Sequence, residues 1–82
     1  MVMYEAGMLA RSKVGHDKAK MYIIKEVDDT YVYLVDGRIR TLGHPKKKKK
    51  KHVQIVHGIY NMKELDDAGI RKLIKDWMKE EK

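Results

Sequence analysis

Two short runs constrain the fold more than anything else in this chain: residues 20–27 (KMYIIKEV) and 30–35 (TYVYLV). Both are rich in β-branched and aromatic residues, which fit a pleated, half-buried surface. Only Asp28 and Asp29 separate them, so the two runs read as a tight antiparallel hairpin. A parallel pair would need a crossover of roughly a dozen residues or more, for which there is no room.

A second turn signal follows at once. Asp36-Gly37 between apolar alternations predicts a two-residue type I′ loop with both central residues at positive φ. Residues 38–42 (RIRTL) then return as the next strand. Counting outward pairs Val35 with Arg38, Leu34 with Ile39, Tyr33 with Arg40 and Val32 with Thr41. Alternation of side chains puts Val32, Leu34 and Ile39 on the core face and Tyr33, Val35, Arg38 and Arg40 on the other. A slip of one residue would invert the assignment.

Three further elements complete the reading. Residues 7–12 (GMLARS) predict an earlier strand, its inward face left open, joined to residue 20 by a polar turn around Gly15. Pro45 lacks a backbone donor and breaks the pairing. Beyond the lysines, HVQIV alternates again, with Val53 and Ile55 on one face. From Asp67 the period lengthens: Ile70, Leu73, Ile74, Trp77 and Met78 form one apolar helical stripe opposite Arg71, Lys72, Lys75, Asp76 and Lys79. Asp66 or Asp67 can cap that helix, and Gly69 weakens its first turn. The expectation is a mainly β domain: a small, partly open antiparallel barrel of about five strands over residues 1–60, with an amphipathic α-helix in 61–82 packed on it. No internal repeat is visible, and 82 residues suffice for one compact core.

Composition excludes several chemistries. With no cysteine there are no disulfides, no thiol-ligated zinc and no cysteine nucleophile. No apolar run approaches the ~20 residues of a membrane span. Residues 1–13 carry an acid early and no long apolar core, so they do not read as a signal peptide. His44, His52 and His57 match no compact zinc spacing, and six neighbouring lysines would repel a cation, so no metal is expected. Ser12 is the only serine, and the acid pairs Asp28-Asp29 and Asp66-Asp67 sit at a turn and a helix start, where acids are expected for local reasons. No phosphate-cradling glycine loop appears. Neither an enzymatic activity, nor a cofactor, nor a small-molecule substrate is therefore expected.

The net charge is +7, and its location says more than its size. Removing the six lysines 46–51 from the 19 basic residues leaves 13 against 12 acids. Nearly all the excess thus comes from one hexapeptide on a balanced domain, a focused feature suited to phosphates.

Residues 7–37, with the following RIRTLGHPKKKKKKHVQIV, resemble the KOW motif, a strand–loop–strand unit of SH3-like barrels in ribosomal and transcription proteins. The similarity is to the small bacterial KOW-domain RNA-binding proteins, related to large-subunit ribosomal protein fourteen of the eukaryotic type, and it covers roughly residues 6–57. On that resemblance Gly15 corresponds to the loop glycine, and Asp17, Lys13, Lys18 and Lys20 to its polar neighbours. Asp36 and Gly37 correspond to the turn before the basic R-x-R strand. Pro45 and the lysines match a proline followed by basic residues. Ala19 stands where such loops often carry a second glycine.

The RNA-binding residues expected are Lys13, His16, Lys18 and Lys20 of the loop; Tyr33, Arg38 and Arg40; and Lys46, Lys47, Lys48, Lys49, Lys50, Lys51 and His52. Gly15 and Asp17 would shape the loop. Lysines act here as point charges on phosphates without reading bases, and in an extended chain alternate ones face opposite sides. Competing readings are a self-repelling disordered run, or a nuclear import signal. Tyr22 and Tyr31 read as packing residues. The function expected is non-enzymatic RNA binding, with ribosomal RNA or the ribosome as partner, in a cytoplasmic protein whose oligomeric state stays open, a monomer being favoured. The alternatives are a KOW module that docks on transcription or translation proteins, and non-specific DNA binding. A basic amphipathic helix could also lie on an anionic membrane, but that would not explain charge concentrated in mid-chain.

Overall fold

The computed structural model describes residues 3–13 and 20–80. Five strands, β1 (Met8–Ser12), β2 (Met21–Val27), β3 (Tyr31–Val35), β4 (Lys46–Lys49) and β5 (Val53–Ile59), precede one helix, α1 (Asp67–Glu80). All strand pairs are antiparallel, in the order β4-β3-β2-β1-β5. The sheet curls into a half-barrel, since its first strand lies between the second and the last while β4 and β5 form the two edges. A 3₁₀ turn, Lys50–His52, passes directly from one edge to the other. The expected mainly β fold, a partly open antiparallel barrel with a C-terminal helix, is the one found.

The hairpin at Asp28 forms because its carboxylate replaces missing backbone partners. Oδ1 accepts from Thr30 N at 2.9 Å and Tyr31 N at 2.6 Å. The Asp28 amide donates to Tyr31 O at 3.0 Å. β2 then runs against β3 with Ile23 opposite Val35 and Ile24 opposite Leu34, and a bulge between Ile24 and Glu26.

The sheet is apolar on both faces. One row, Leu9, Met21, Ile23 and Val35, packs under Ile70 and Ile74 of α1. The opposite row comprises Ala10, Tyr22, Ile24, Val32, Leu34 and Val53. Val35 lies on the Tyr33 side of β3, as expected, but that side is covered at its position: Val35 is fully buried beneath the helix. Each such fully buried aliphatic stabilises the fold by roughly 1.5–3 kcal/mol. Along α1 the stripe is deepest at Ile70 and fades to Met78, which is 43% exposed. Asp66 caps α1, its Oδ1 accepting from Gly69 N at 2.7 Å.

Residues 38–42 are a loop, not the predicted fourth strand, and the pairings of Arg38, Ile39, Arg40 and Thr41 with β3 do not form. Asp36 closes the loop on itself: its Oδ1 accepts from Arg38 N and Arg40 N, while Asp36 N and Gly37 N both donate to Arg40 O. Of the Asp36-Gly37 pair, Gly37 alone has positive φ, at +78°, so the turn is not type I′. Ile39, expected in the core, is 74% exposed. The place beside β3 is taken by β4, with Tyr31 opposite Lys49, Val32 opposite Lys48, Tyr33 opposite Lys47 and Leu34 opposite Lys46.

The loop is pinned between sheet and helix. Leu42 N donates to Asp67 Oδ1 at 2.8 Å, and Leu42 O accepts from Lys25 Nζ at 2.8 Å. Arg71 Nη1 donates to Gly37 O at 2.6 Å.

Candidate nucleic-acid interface

Four of the six consecutive lysines form an edge strand. Pro45 stands just before it, where its missing amide costs no ladder bond. β3 supplies the pairing that lysine's own low strand preference does not. Lysine on an edge also discourages pairing with another chain, because its charge opposes burial. The strand ends where Lys50 N donates to Thr30 O at 3.0 Å.

Pairing fixes which way each ammonium points. Lys47 and Lys49 are exposed and lie on the face of Tyr31 and Tyr33, while Lys46 and Lys48 are half-buried on the face of Val32 and Leu34. In the 3₁₀ turn Lys50 is half-buried and Lys51 exposed. Three ammonium groups lie near aromatic rings: Lys47 at 4.2 Å from the Tyr31 centroid, Lys46 at 5.9 Å from Tyr22 and Lys50 at 6.0 Å from Tyr4. Only the first is close enough for a strong cation–π attraction. Lys46 has a lowered pKa, chiefly because burial disfavours its charge and secondly because Lys48 repels it.

Acids limit the Tyr31–Tyr33 face. Tyr33 OH donates to Asp28 Oδ2 at 2.9 Å, which raises the Tyr33 pKa. The Asp28 carboxyl is held below its usual range, first by the amide of Tyr31, then by that of Thr30, with a smaller contribution from Lys47. Glu26 is exposed opposite Tyr33. The outer rim, bearing Lys47, Lys49 and Lys51, is the part left for an anion. A hollow of about 330 Å³ opens there, lined by Asp29, Thr30, Lys49 and Lys51.

The other expected residues divide into separate groups. Lys13 joins the lysine segment, its amide donating to His52 O at 2.8 Å. Arg40 and Tyr33 are not cross-strand partners; Arg40 lies near Tyr22, where its charge opposes the rise in phenol pKa caused first by burial and then by Asp36. Arg38 and Lys20 line a groove beside α1 to which the lysine strand contributes no residue. Gly15, His16, Asp17 and Lys18 lie outside the described residues.

Tyr22 is a packing residue, as expected, being 2% exposed. Tyr31 is only half-buried, with a lysine over its ring. Tyr4 escaped the sequence reading altogether. Its hydroxyl donates to Lys50 O at 2.9 Å and Val53 O at 3.3 Å, so it braces the 3₁₀ turn from 46 residues away. No local pattern signals so distant a contact.

Among the described residues, no group of three His, Cys, Asp or Glu could hold a metal ion, and no helix is long and apolar enough to cross a membrane. No protein-family model matches this chain, and no curated protein matches it either.

Proposed function

We propose that this chain is a non-enzymatic RNA-binding module, associated with ribosomal RNA or the ribosome in the cytoplasm, that grips backbone phosphates with its lysine edge strand. One observation carries the reading: the lysine run is ordered as a strand and a 3₁₀ turn, with Lys47, Lys49 and Lys51 exposed in alternation along one rim. Residues two apart on a strand are about 6.5–7 Å apart. That is comparable to the spacing of successive phosphates in an RNA strand, so neighbouring ammonium groups can serve neighbouring phosphates. A row of lysines neutralises phosphates without reading bases. Tyr31, half-exposed beside Lys47, adds a ring on which an unpaired base can stack.

The resemblance of residues 6–57 to KOW-domain proteins supports RNA over DNA, because phosphates alone do not distinguish them. The nearly neutral remainder of the chain supports one localised interface over diffuse adhesion.

Fluorescence polarization with a structured ribosomal RNA fragment tests this across roughly 50–200 mM salt. Affinity is expected to fall with a log–log slope of about −0.7 to −0.9 per phosphate contacted. Replacing residues 46–51 with alternating Ser and Gln should abolish binding, and co-sedimentation with ribosomal subunits, while circular dichroism stays unchanged. Absence of salt-sensitive binding to any RNA would sink the reading.

A further inference from the structure

A second surface, sharing no residue with the lysine segment, has a different chemistry. A groove of about 650 Å³ runs between α1, the loop after Asp36 and the start of β2. Met21, Ile39, Ile74 and Met78 give it an aliphatic floor. Ile39 is 74% and Met78 43% exposed, although both belong to types that normally seek burial. The loop holds Ile39 in that position through the two bonds to Asp36 Oδ1 on either side of it.

The rim is strongly cationic. Lys20, Arg38, Arg71, Lys75 and Lys79 surround the floor, against a single acid, Asp36. That carboxylate is already occupied by the amides of Arg38 and Arg40. Outside residues 46–51 the chain carries only one net positive charge, so five cations around one groove are a local concentration.

We infer that this groove docks an acidic, amphipathic peptide segment of a partner protein, with aliphatic anchors on the floor and carboxylates against the rim. Charge complementarity selects an acidic ligand, and the apolar floor selects one with hydrophobic side chains. A nucleic acid is the poorer fit, because the lining contains no aromatic ring for base stacking. Methionine adapts its shape to different anchors, as on other peptide-binding surfaces. A helix with anchors at i, i+4 and i+7 is the form such a groove admits.

The test is a titration of the isotope-labelled full chain, followed by NMR, with a synthetic Glu/Leu helical peptide of about 14 residues bearing Leu at that spacing. Saturable amide shifts are expected at Arg38, Ile39, Lys75 and Met78, and not at Lys47 or Lys49. A Leu→Ser peptide of equal charge should bind at least about tenfold more weakly, as should the Ile39→Glu and Met78→Glu chains. Both substitutions are at exposed positions, and both should leave thermal unfolding and RNA titration unchanged. The inference is overturned if the shifts fall on the lysine strand, or if the Leu→Ser peptide binds equally well. It is overturned too if the groove responds to oligouridylate or to phosphatidylserine vesicles but not to the peptide. RNA binding is scored on the lysine variant, so either result can fail without the other.

Discussion

The Lys47 ammonium lies 4.2 Å from the centre of the Tyr31 ring, although Tyr31 pairs across the strands with Lys49. The contact is diagonal, within reach of a long side chain. It gathers Lys47, Lys49 and Tyr31 onto one rim, while Lys46 and Lys48 lean toward the opposite face.

On the function proposed above, that asymmetry predicts unequal shares in RNA binding. Lys47→Ser with Lys49→Ser should flatten the log–log salt dependence by about 1.4–1.8, the value for two lost phosphate contacts. Lys46→Ser with Lys48→Ser should change the slope by less than half as much. Polarization titrations of the two double variants on one RNA check this, and equal slopes would mean that the sheet face does not select among lysines.

A contrast between Ile39 and Leu34 checks the loop against the strand expected there. Leu34 is fully buried, so Leu34→Ala should cost about 2–5 kcal/mol of unfolding free energy. Ile39→Ser should lie within about 0.5 kcal/mol of the parent. Had residues 38–42 paired with β3 as a core strand, both would be costly. Chemical denaturation of the two variants decides between the arrangements.

The absence of that strand has physical reasons. The hairpin at Asp28, the strands around it and the helix from Asp67 were legible because their signals are local: alternation, turn residues and a 3.6-residue apolar stripe. The Asp-Gly signal at Asp36 and Gly37 did mark a turn. What no local pattern records is which segment then occupies the free edge of β3. Arg38–Leu42 alternates better than polylysine, yet Asp36 captures two of its amides, and Lys25 and Asp67 hold the backbone of Leu42. The burial of Val35 was hidden for a related reason: a helix more than thirty residues later covers its face. For the candidate site, the sequence told which residues carry charge and that alternate lysines of an extended run face opposite sides, but not which face each takes, which follows from the pairing of β4 with β3.

Gly37 offers a sharper stability test. Its φ of +78° disfavours any side chain, and an added Cβ would collide with Asp67 O and press on Arg71 Cγ at 2.9 Å. Gly37→Ala should therefore destabilise the fold by about 1–3 kcal/mol through backbone strain alone, with more from displacement of α1. Calorimetry is the measurement. Arg71→Ala, which removes the bond to Gly37 O but no backbone requirement, should cost less.

The last prediction concerns acid. Asp28 has a lowered pKa because, when ionised, it accepts from the amides of Tyr31 and Thr30 and from the Tyr33 hydroxyl. A carboxyl whose pKa is lower in the folded than in the unfolded chain stabilises the fold above the unfolded value, and loses that contribution as pH falls through the folded one. The unfolded value is about 3.9, so the sensitive window lies below about pH 4. Asp28→Asn keeps an acceptor for the two amides but cannot ionise. Its stability deficit relative to the parent should be constant from neutral pH down to about pH 5 and should shrink steadily below about pH 4. Denaturation midpoints of both chains across that range measure the gap. A deficit that stays constant to the acid limit would mean that the charge on Asp28, as distinct from its oxygen, contributes nothing to the hairpin beneath the lysine strand.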